Sequence, residues 1–441
     1  MHFSAVALAA QLGGRIVGGD VECRGLHTDS REVRPGQLFV ALRDARDGHE
    51  FIGEAVTAGA TAYVTDGRTV SGATAIVVRD TWQALAEIGR ISRHRMQGHV
   101  VGITGSVGKT TVKDLTHGVF ASTYRTQSTY LSYNNEIGLP LTLGNADEDV
   151  EVVVAEMGAR KPGHIAELCE IARPTIGIIT RIGLAHTEFF GSLEAVATAK
   201  AELVEALPAD GAAVLNGDDP FSAMIGQRSS APVLHFGTGT HCDVRATNVR
   251  LNERAQAAFA VASPWGNAEF QLSVHGAHQV TNALAAATAA LWAGVPIESV
   301  AQAIAQVTPP PWRMNVETHA SGVVVINDAY NANPTSMEAA LRALHAVPAT
   351  RRIAVLGQMA ELGPTAAEQH RSMVTLASSL GIEVVGYQTD AYGVEVVSDV
   401  AQLLGRTQPF QKGDAFLVKG SRVAGMEQVA AALSQAITSA E

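Results

Sequence analysis

The sequence predicts an α/β protein organised as three domains. Short apolar runs such as HVVGITG, VEVVVAEMG and TIGIIT alternate with helical patterns along most of the chain. Those runs are apolar on successive residues, which suits parallel strands covered on both faces. The 42 glycines and an aromatic content of only 5% fit many strand-to-helix turns better than an all-β recognition module. At about 100–200 residues per domain, 441 residues allow two to four domains.

Residues 1–96 alternate QLFVAL, TAYVTD and AIVVRD with helical stretches such as FIGEAVTAGA, giving a small α/β domain. Asp80 is placed to cap a helix carrying Trp82, Leu85, Ile88 and Ile91 on one face, which closes that domain. The opening MHFSAVALAAQLGG lacks a basic n-region and has a short apolar run, so it reads as an amphipathic helix, not a signal peptide. Residues 97–308 form a central parallel domain whose strands include YRTQST and GAAVLNGDD. From about 233 to 275, VLHFGT, VRATNVRL, AQAAFAVAS and AEFQLSVHG follow without helices, as expected of an antiparallel extension. Helices run from Thr281 to about 306, where Pro309-Pro310-Pro311 ends them. In residues 309–441, VVVIND, RRIAVLG, IEVVGY and AFLVKG alternate with helices, giving a smaller, Rossmann-like C-terminal domain. Three such domains place binding sites in the clefts between them.

The formal net charge is −11, from 43 acidic and 32 basic side chains. That surplus repels a phosphate backbone and argues against nucleic acid as a partner, though not against a small anion held by a local cluster of cations. Cys23, Cys169 and Cys242 are far apart and in no metal-ligand spacing, which fits a reduced, cytoplasmic setting. No apolar stretch approaches the ~20 residues that span a bilayer, so no membrane insertion is expected.

Residues 99–113, HVVGITGSVGKTTVK, read as a strand, a turn and a helix start. Phosphate oxygens need close backbone N–H groups, which Gly105, Ser106, Val107 and Gly108 can offer where a Cβ would obstruct. Lys109 adds a charge, and the hydroxyls of Thr110 and Thr111 stand beside it, one able to ligate Mg²⁺. The spacing G-x-x-G-K-T is shorter than the common nucleotide loop, but strand, loop and helix fall in the required order. The central domain is therefore P-loop ATPase-like, and the loop points to ATP or GTP.

With what surrounds it, TGSVGKTT resembles the Mur ligase family, the ATP-dependent amide ligases of peptidoglycan synthesis. The similarity runs the whole chain: HTDSREVRPGQLFVAL and DGHEF, then YNNEIGLPLTL, AEMGARKPGHIAEL, GLAHTEFFGSLEAVATAKAEL and HQVTNALAAA, then WRMNV, INDAYNANPTSMEAAL and LVKGSR. The third-domain blocks are most similar to the branch that adds D-alanyl-D-alanine to a UDP-N-acetylmuramoyl-tripeptide. The resemblance implies activation of a carboxylate as an acyl phosphate by ATP, with two Mg²⁺ ions, in a cytoplasmic monomer. The expected partners are a UDP-sugar peptide and a dipeptide amine.

The same resemblance assigns residues. Lys109 and Thr110 hold the β/γ-phosphates and first Mg²⁺. Glu156 and His186 are metal ligands, and Lys200 in ATAKAEL is a carbamylated lysine that orients the second ion. His278 and Asn282 match an adenine-binding segment. Arg313 and Asp328 match positions reaching ATP when the domains close. Asn134 and Asn135 fall in a substrate block, and Asn331, Asn333 and Ser336 shape the site for the amine. Lys419, Ser421 and Arg422 hold that amine's carboxylate, while Ser30, Arg31 and His49 address the uridine diphosphate.

Taken singly, these residues also have plainer readings. Glu156 could cap a helix, His186 could be a solvated loop side chain, and Lys200 a surface lysine. His278 and Asn282 could be a polar pair at a helix start, and Lys419, Ser421 and Arg422 a basic one. The sequence departs from the family pattern at Arg181, at Gln358, at Leu131 and Ser132, and in the loop Arg43–Asp47. These departures leave open a paralogue with the same chemistry on another carboxylate and amine. A nucleotide-dependent switch without ligation fits less well, because a pure binder has no need of the complete metal set.

Overall fold

The strand His99–Thr104 is apolar on successive residues because helices cover both its faces. In the computed structural model, which describes residues 1–130, 133–183, 190–308 and 310–441, it lies inside a nine-stranded sheet. It pairs in parallel with Val152–Glu156 on one side and Ile176–Ile179 on the other. Val101, Ile103, Val154 and Ile178 pack on the helices Lys109–Ala121 and Gln279–Trp292. Val100, Val153, Ala155 and Ile179 face the opposite layer, made by His164–Ala172 and Leu193–Glu205.

The antiparallel extension starts later than its sequence suggests. Val233–Gly237 is parallel both to Ala212–Asn216 and to Val244–Leu251. Only Val244–Leu251, Gln256–Ser263 and Gly266–His275 run antiparallel, as the continuing edge of the same sheet. The crossover before Val233 contains just the five-residue helix Ser222–Gly226, too short to leave a helical period.

The first domain holds a five-stranded sheet, ordered Arg15–Val17, Thr74–Val77, Ala62–Thr65, Leu38–Val40 and Leu26–His27. Asp80 caps the helix Thr81–Arg95 by accepting from Trp82 N and Gln83 N. Leu85 and Ile88 on that helix are buried, with Trp82 and Ile91 half-buried beside them. The helix closes the first domain by packing on the central one, against Gly138–Gly144 and His164–Ala172. Asn145 joins the two backbones as well, accepting from Leu26 N at 3.0 Å and donating to Leu26 O at 2.8 Å.

The third sheet has six strands, ordered Asn315–Thr318, Val324–Asp328, Asp414–Lys419, Arg351–Leu356, Glu383–Tyr387 and Val396–Val397. Its first pair is antiparallel and the rest parallel. Pro334–Ala346 and Ala366–Ser379 cover one face, and Val400–Thr407 and Met426–Ala440 the other. None of the described helices is long and apolar enough to cross a membrane.

Candidate active site

The phosphate loop leaves the strand His99–Thr104 at its C-terminal end, where open parallel sheets bind ligands. Two of its positions require glycine. Gly105 has φ +149°, and a Cβ there would run into Thr180 Oγ1. Gly108 has φ +85°, caps the helix Lys109–Ala121, and would place a Cβ 2.6 Å from Asn282 Oδ1. The loop is latched on its far side: Ser106 N donates to Arg181 O at 2.8 Å, and Thr180 Oγ1 donates to Val107 O at 2.6 Å. Lys109 curls back to donate from Nζ to Gly105 O at 2.7 Å. Burial pushes its ammonium below the usual lysine range.

Glu156 ends its strand with its carboxylate buried. Oε2 accepts from Thr110 Oγ1 and Oε1 from Asn134 Nδ2, each at 2.8 Å. Arg313 completes the group from the third domain, donating from Nη2 to the same Thr110 oxygen at 2.9 Å. Lys200 projects into the same space from the helix Leu193–Glu205 and is 3% exposed. Burial first, and then the charge of Lys109, lower its amine to about 7. His278 is pushed down to about 4, chiefly by burial, so its imidazole is neutral at physiological pH.

These groups line a cavity of 930 Å³ between the central and third domains. It brings together the loop from Ser106 to Thr111, Glu156, Lys200, His278, Asn282, Arg313 and Asp328. Asn134, Asn135, Asn331, Asn333, Ser336, Lys419, Ser421 and Arg422 line it too. His186 lies outside the described residues, as do Leu131 and Ser132. Ser30, Arg31 and His49 do not reach this cavity.

Several side chains are engaged differently from expectation. Lys419, expected to hold the amine's carboxylate, is buried and paired with Asp328 Oδ2 at 2.5 Å, and also donates to Asn331 O at 2.8 Å. Ser421 is buried, and its hydroxyl accepts from Ala360 N and donates to Ala332 O. Of that trio Arg422 stays open to solvent, its guanidinium over the Trp312 ring and paired with Glu427. Asn333 and Ser336 form a capping box at the start of Pro334–Ala346, so Asn333 Oδ1 and Ser336 Oγ are spent on the helix end. Asn135 likewise accepts from Ile137 N and Gly138 N. His49, expected near the uridine diphosphate, is buried between Asp47 at 2.6 Å and Asp66 at 3.1 Å. Arg31 is exposed beside Asp29, whose carboxyl it pulls down to about 2.

In the loop Arg43–Asp47, Arg43 pairs with Asp47 of the loop itself and with Asp66 at the end of the strand Ala62–Thr65. Sequence reasoning missed Thr180, which latches the loop, and Tyr330, whose ring lies 3.9 Å from the Arg313 guanidinium. It also missed Asp219, which accepts from Ile182 N at 2.7 Å. Thr180 and Asp219 follow strand ends, the same positional signal that singled out Glu156.

Residues 103–290 match the Mur ligase middle domain, and residues 312–438 match the Mur ligase, glutamate ligase domain. The UDP-N-acetylmuramoyl-tripeptide--D-alanyl-D-alanine ligase of Mycobacterium tuberculosis is 39% identical over 92% of this chain and 91% of its own. The chain belongs to the Mur ligase family. Among solved structures, this Mur ligase is similar to MurF from Acinetobacter baumannii, with a TM-score of 0.91 and 29% identity over 99% of both chains. It is also similar to the MurF ligase from Thermotoga maritima in complex with ADP, with a TM-score of 0.85 and 28% identity, covering 95% of this chain and 99% of that one. Like them it is a three-domain α/β protein, and it is an ATP-dependent ligase that forms an amide bond.

Proposed function

We propose that this Mur ligase adds D-alanyl-D-alanine to a UDP-N-acetylmuramoyl-tripeptide in peptidoglycan precursor synthesis, acting as a monomer in the cytoplasm. The observation that carries this is the 39% identity, sustained over 92% of the chain, to a relative bearing that name. The tripeptide's terminal carboxylate oxygen attacks the γ-phosphorus of ATP, the bond to ADP breaks, and an acyl phosphate forms. The dipeptide amine then attacks the acyl carbon, phosphate leaves, and the amine nitrogen loses a proton.

The protein's part is positioning and charge neutralisation. Lys109 and the amides from Val107 to Thr111 hold the phosphates, the lysine exchanging Gly105 O for phosphate oxygen; the Ser106 amide, expected to join them, is instead spent on Arg181 O. Arg313 supplies a cation from the third domain, and His278 and Asn282 receive the adenine. Arg31 and Ser30 bind the uridine diphosphate, and Arg422 binds the carboxylate of the incoming dipeptide. Asn331 stands beside that dipeptide, with Asn333 and Ser336 fixing the helix behind it.

The donor set suits Mg²⁺: Thr110 Oγ1 and Glu156 Oε2 are hard oxygen ligands 2.8 Å apart at a buried site. His186 joins them by family resemblance. Mg²⁺ supplies neutralisation of phosphate charge. Lys200 reads as the carbamate site. With its amine lowered to about 7, a large fraction is neutral near pH 7 and able to add CO₂. The nitrogen–carbon bond forms as the nitrogen loses a proton, and a buried cation becomes an anion suited to a second Mg²⁺.

The acyl phosphate is tested with tripeptide substrate labelled with ¹⁸O in its terminal carboxylate. Label should appear in the released phosphate. Phosphate free of label would reject this route.

A further inference from the structure

Lys200 and Glu202 leave the helix Leu193–Glu205 on different sides. Lys200 lines the large cavity, whereas Glu202 lines a separate cleft that runs along His164–Ala172 past Ala166, Cys169 and Glu170. The two carboxylate oxygens of Glu202 accept from Gly163 N at 2.6 Å and Ala166 N at 3.0 Å. These are the N-cap and third-position amides of that helix. The helix has no side-chain cap of its own, because its N-cap residue is Gly163 at φ 83°. A capping box satisfies the same two amides with two local side chains. Here one carboxylate from a neighbouring helix does both, and its charge suits the positive helix end.

One of the two helices joined in this way carries Lys200, and the other follows Glu156 along the chain. Glu156 ends a strand, and the chain runs from it through Ala159 and Arg160, which line the cavity, to the helix that Glu202 caps. Glu202 itself is absent from the cavity lining, so it cannot touch the reacting atoms.

We propose that Glu202 is a positioning residue of this ligase: by capping His164–Ala172 from the neighbouring helix, it holds Lys200 in register with Glu156. The inference rests on the reading of Lys200 as a carbamate. It makes the contact between the two helices part of the catalytic geometry as well as of the core.

The test compares wild type, Glu202→Gln, Glu202→Asp, Lys200→Ala and the Glu202→Gln/Lys200→Ala double variant. Glutamine keeps the shape and one acceptor oxygen, whereas its amide nitrogen cannot accept. Steady-state kinetics give kcat and the KM for ATP, thermal unfolding reports folding, and ¹³C-bicarbonate gives a carbamate resonance. Glu202→Gln should lower kcat by about tenfold to a hundredfold, as expected of a displaced catalytic group. The KM for ATP should stay within about twofold, and the carbamate resonance should weaken. Glu202→Asp keeps both acceptor oxygens and should recover part of both signals. In the Lys200→Ala background, Glu202→Gln should cost nothing further, since the two positions act as one unit.

Wild-type kcat and a wild-type resonance in Glu202→Gln would overturn the proposal. So would a full additional loss in the double variant, because that marks a merely structural role. Absence of the resonance from wild type would instead sink the carbamate reading. The coupling between positions 200 and 202 would still decide the role of Glu202.

Discussion

Arg313 of the third domain donates a 2.9 Å hydrogen bond to Thr110 Oγ1 of the phosphate loop. Its guanidinium is held over the Tyr330 ring, and its backbone amide donates to Asn315 Oδ1. The residues on either side, Trp312 and Met314, have φ of 59° and 51°, a conformation that side chains other than glycine rarely adopt. A strained backbone flanking a cation aimed across a domain boundary suits a group whose placement matters to the reaction. Arg313 therefore couples the approach of the third domain to the oxygen that, with Glu156, forms the proposed metal site.

Arg313→Ala should lower kcat/KM for ATP by ~10²-fold, the scale of removing one donor from developing charge. Arg313→Lys should recover little, because an ammonium does not reproduce the planar stack on Tyr330 together with a directed bond. Steady-state ADP formation checks both. Near-wild-type activity in Arg313→Lys would show that only charge is needed.

Lys200→Ala should abolish most activity, and a short carboxylic acid should restore part of it by occupying the place of the carbamate. In wild type at limiting bicarbonate, activity should rise with pH through about 7, as the amine loses its proton and becomes able to add CO₂. Saturating bicarbonate should flatten that rise. A pH profile indifferent to bicarbonate would contradict the assignment.

Gly108→Ala should weaken ADP binding and cost about 1–2 kcal/mol of stability, the scale for a left-handed non-glycine residue. The φ of +85° and the 2.6 Å approach to Asn282 Oδ1 act together here. Calorimetric titration with ADP and thermal unfolding measure the two effects. Unchanged affinity would mean that the loop does not hold phosphate in this conformation.

Lys419→Met should cost about 3–5 kcal/mol, because it removes a buried cation and leaves the Asp328 carboxylate, only 13% exposed, without its partner. The double variant Lys419→Met/Asp328→Asn should regain much of that stability in denaturant unfolding while remaining poorly active. If the single variant is as stable as wild type, the pair contributes no net stability.

The sequence was most informative where chemistry is local. HVVGIT runs apolar on consecutive residues because both faces are covered, and the glycines of the loop stand where a Cβ would meet Thr180 or Asn282. Glu156 was recognisable as the end of a strand. What stayed hidden was partnership over distance. Lys419 and Asp328 are 91 residues apart, and only the parallel pairing of their strands brings them side by side. His49 was expected beside the uridine diphosphate, and its pairing with Asp66 forms only when the neighbouring strand end is brought alongside. Asn333 and Ser336 were expected to shape the site for the amine, yet the helix they cap uses Asn333 Oδ1 and Ser336 Oγ.

The most direct test supplies ATP, UDP-N-acetylmuramoyl-tripeptide and D-alanyl-D-alanine together, then each without the others, and follows ADP formation alongside the amide product. Rapid ADP formation matched one-for-one by amide product, and dependent on both co-substrates, is the predicted result. Turnover with only some other carboxylate and amine, or none with this pair, would contradict the proposed function.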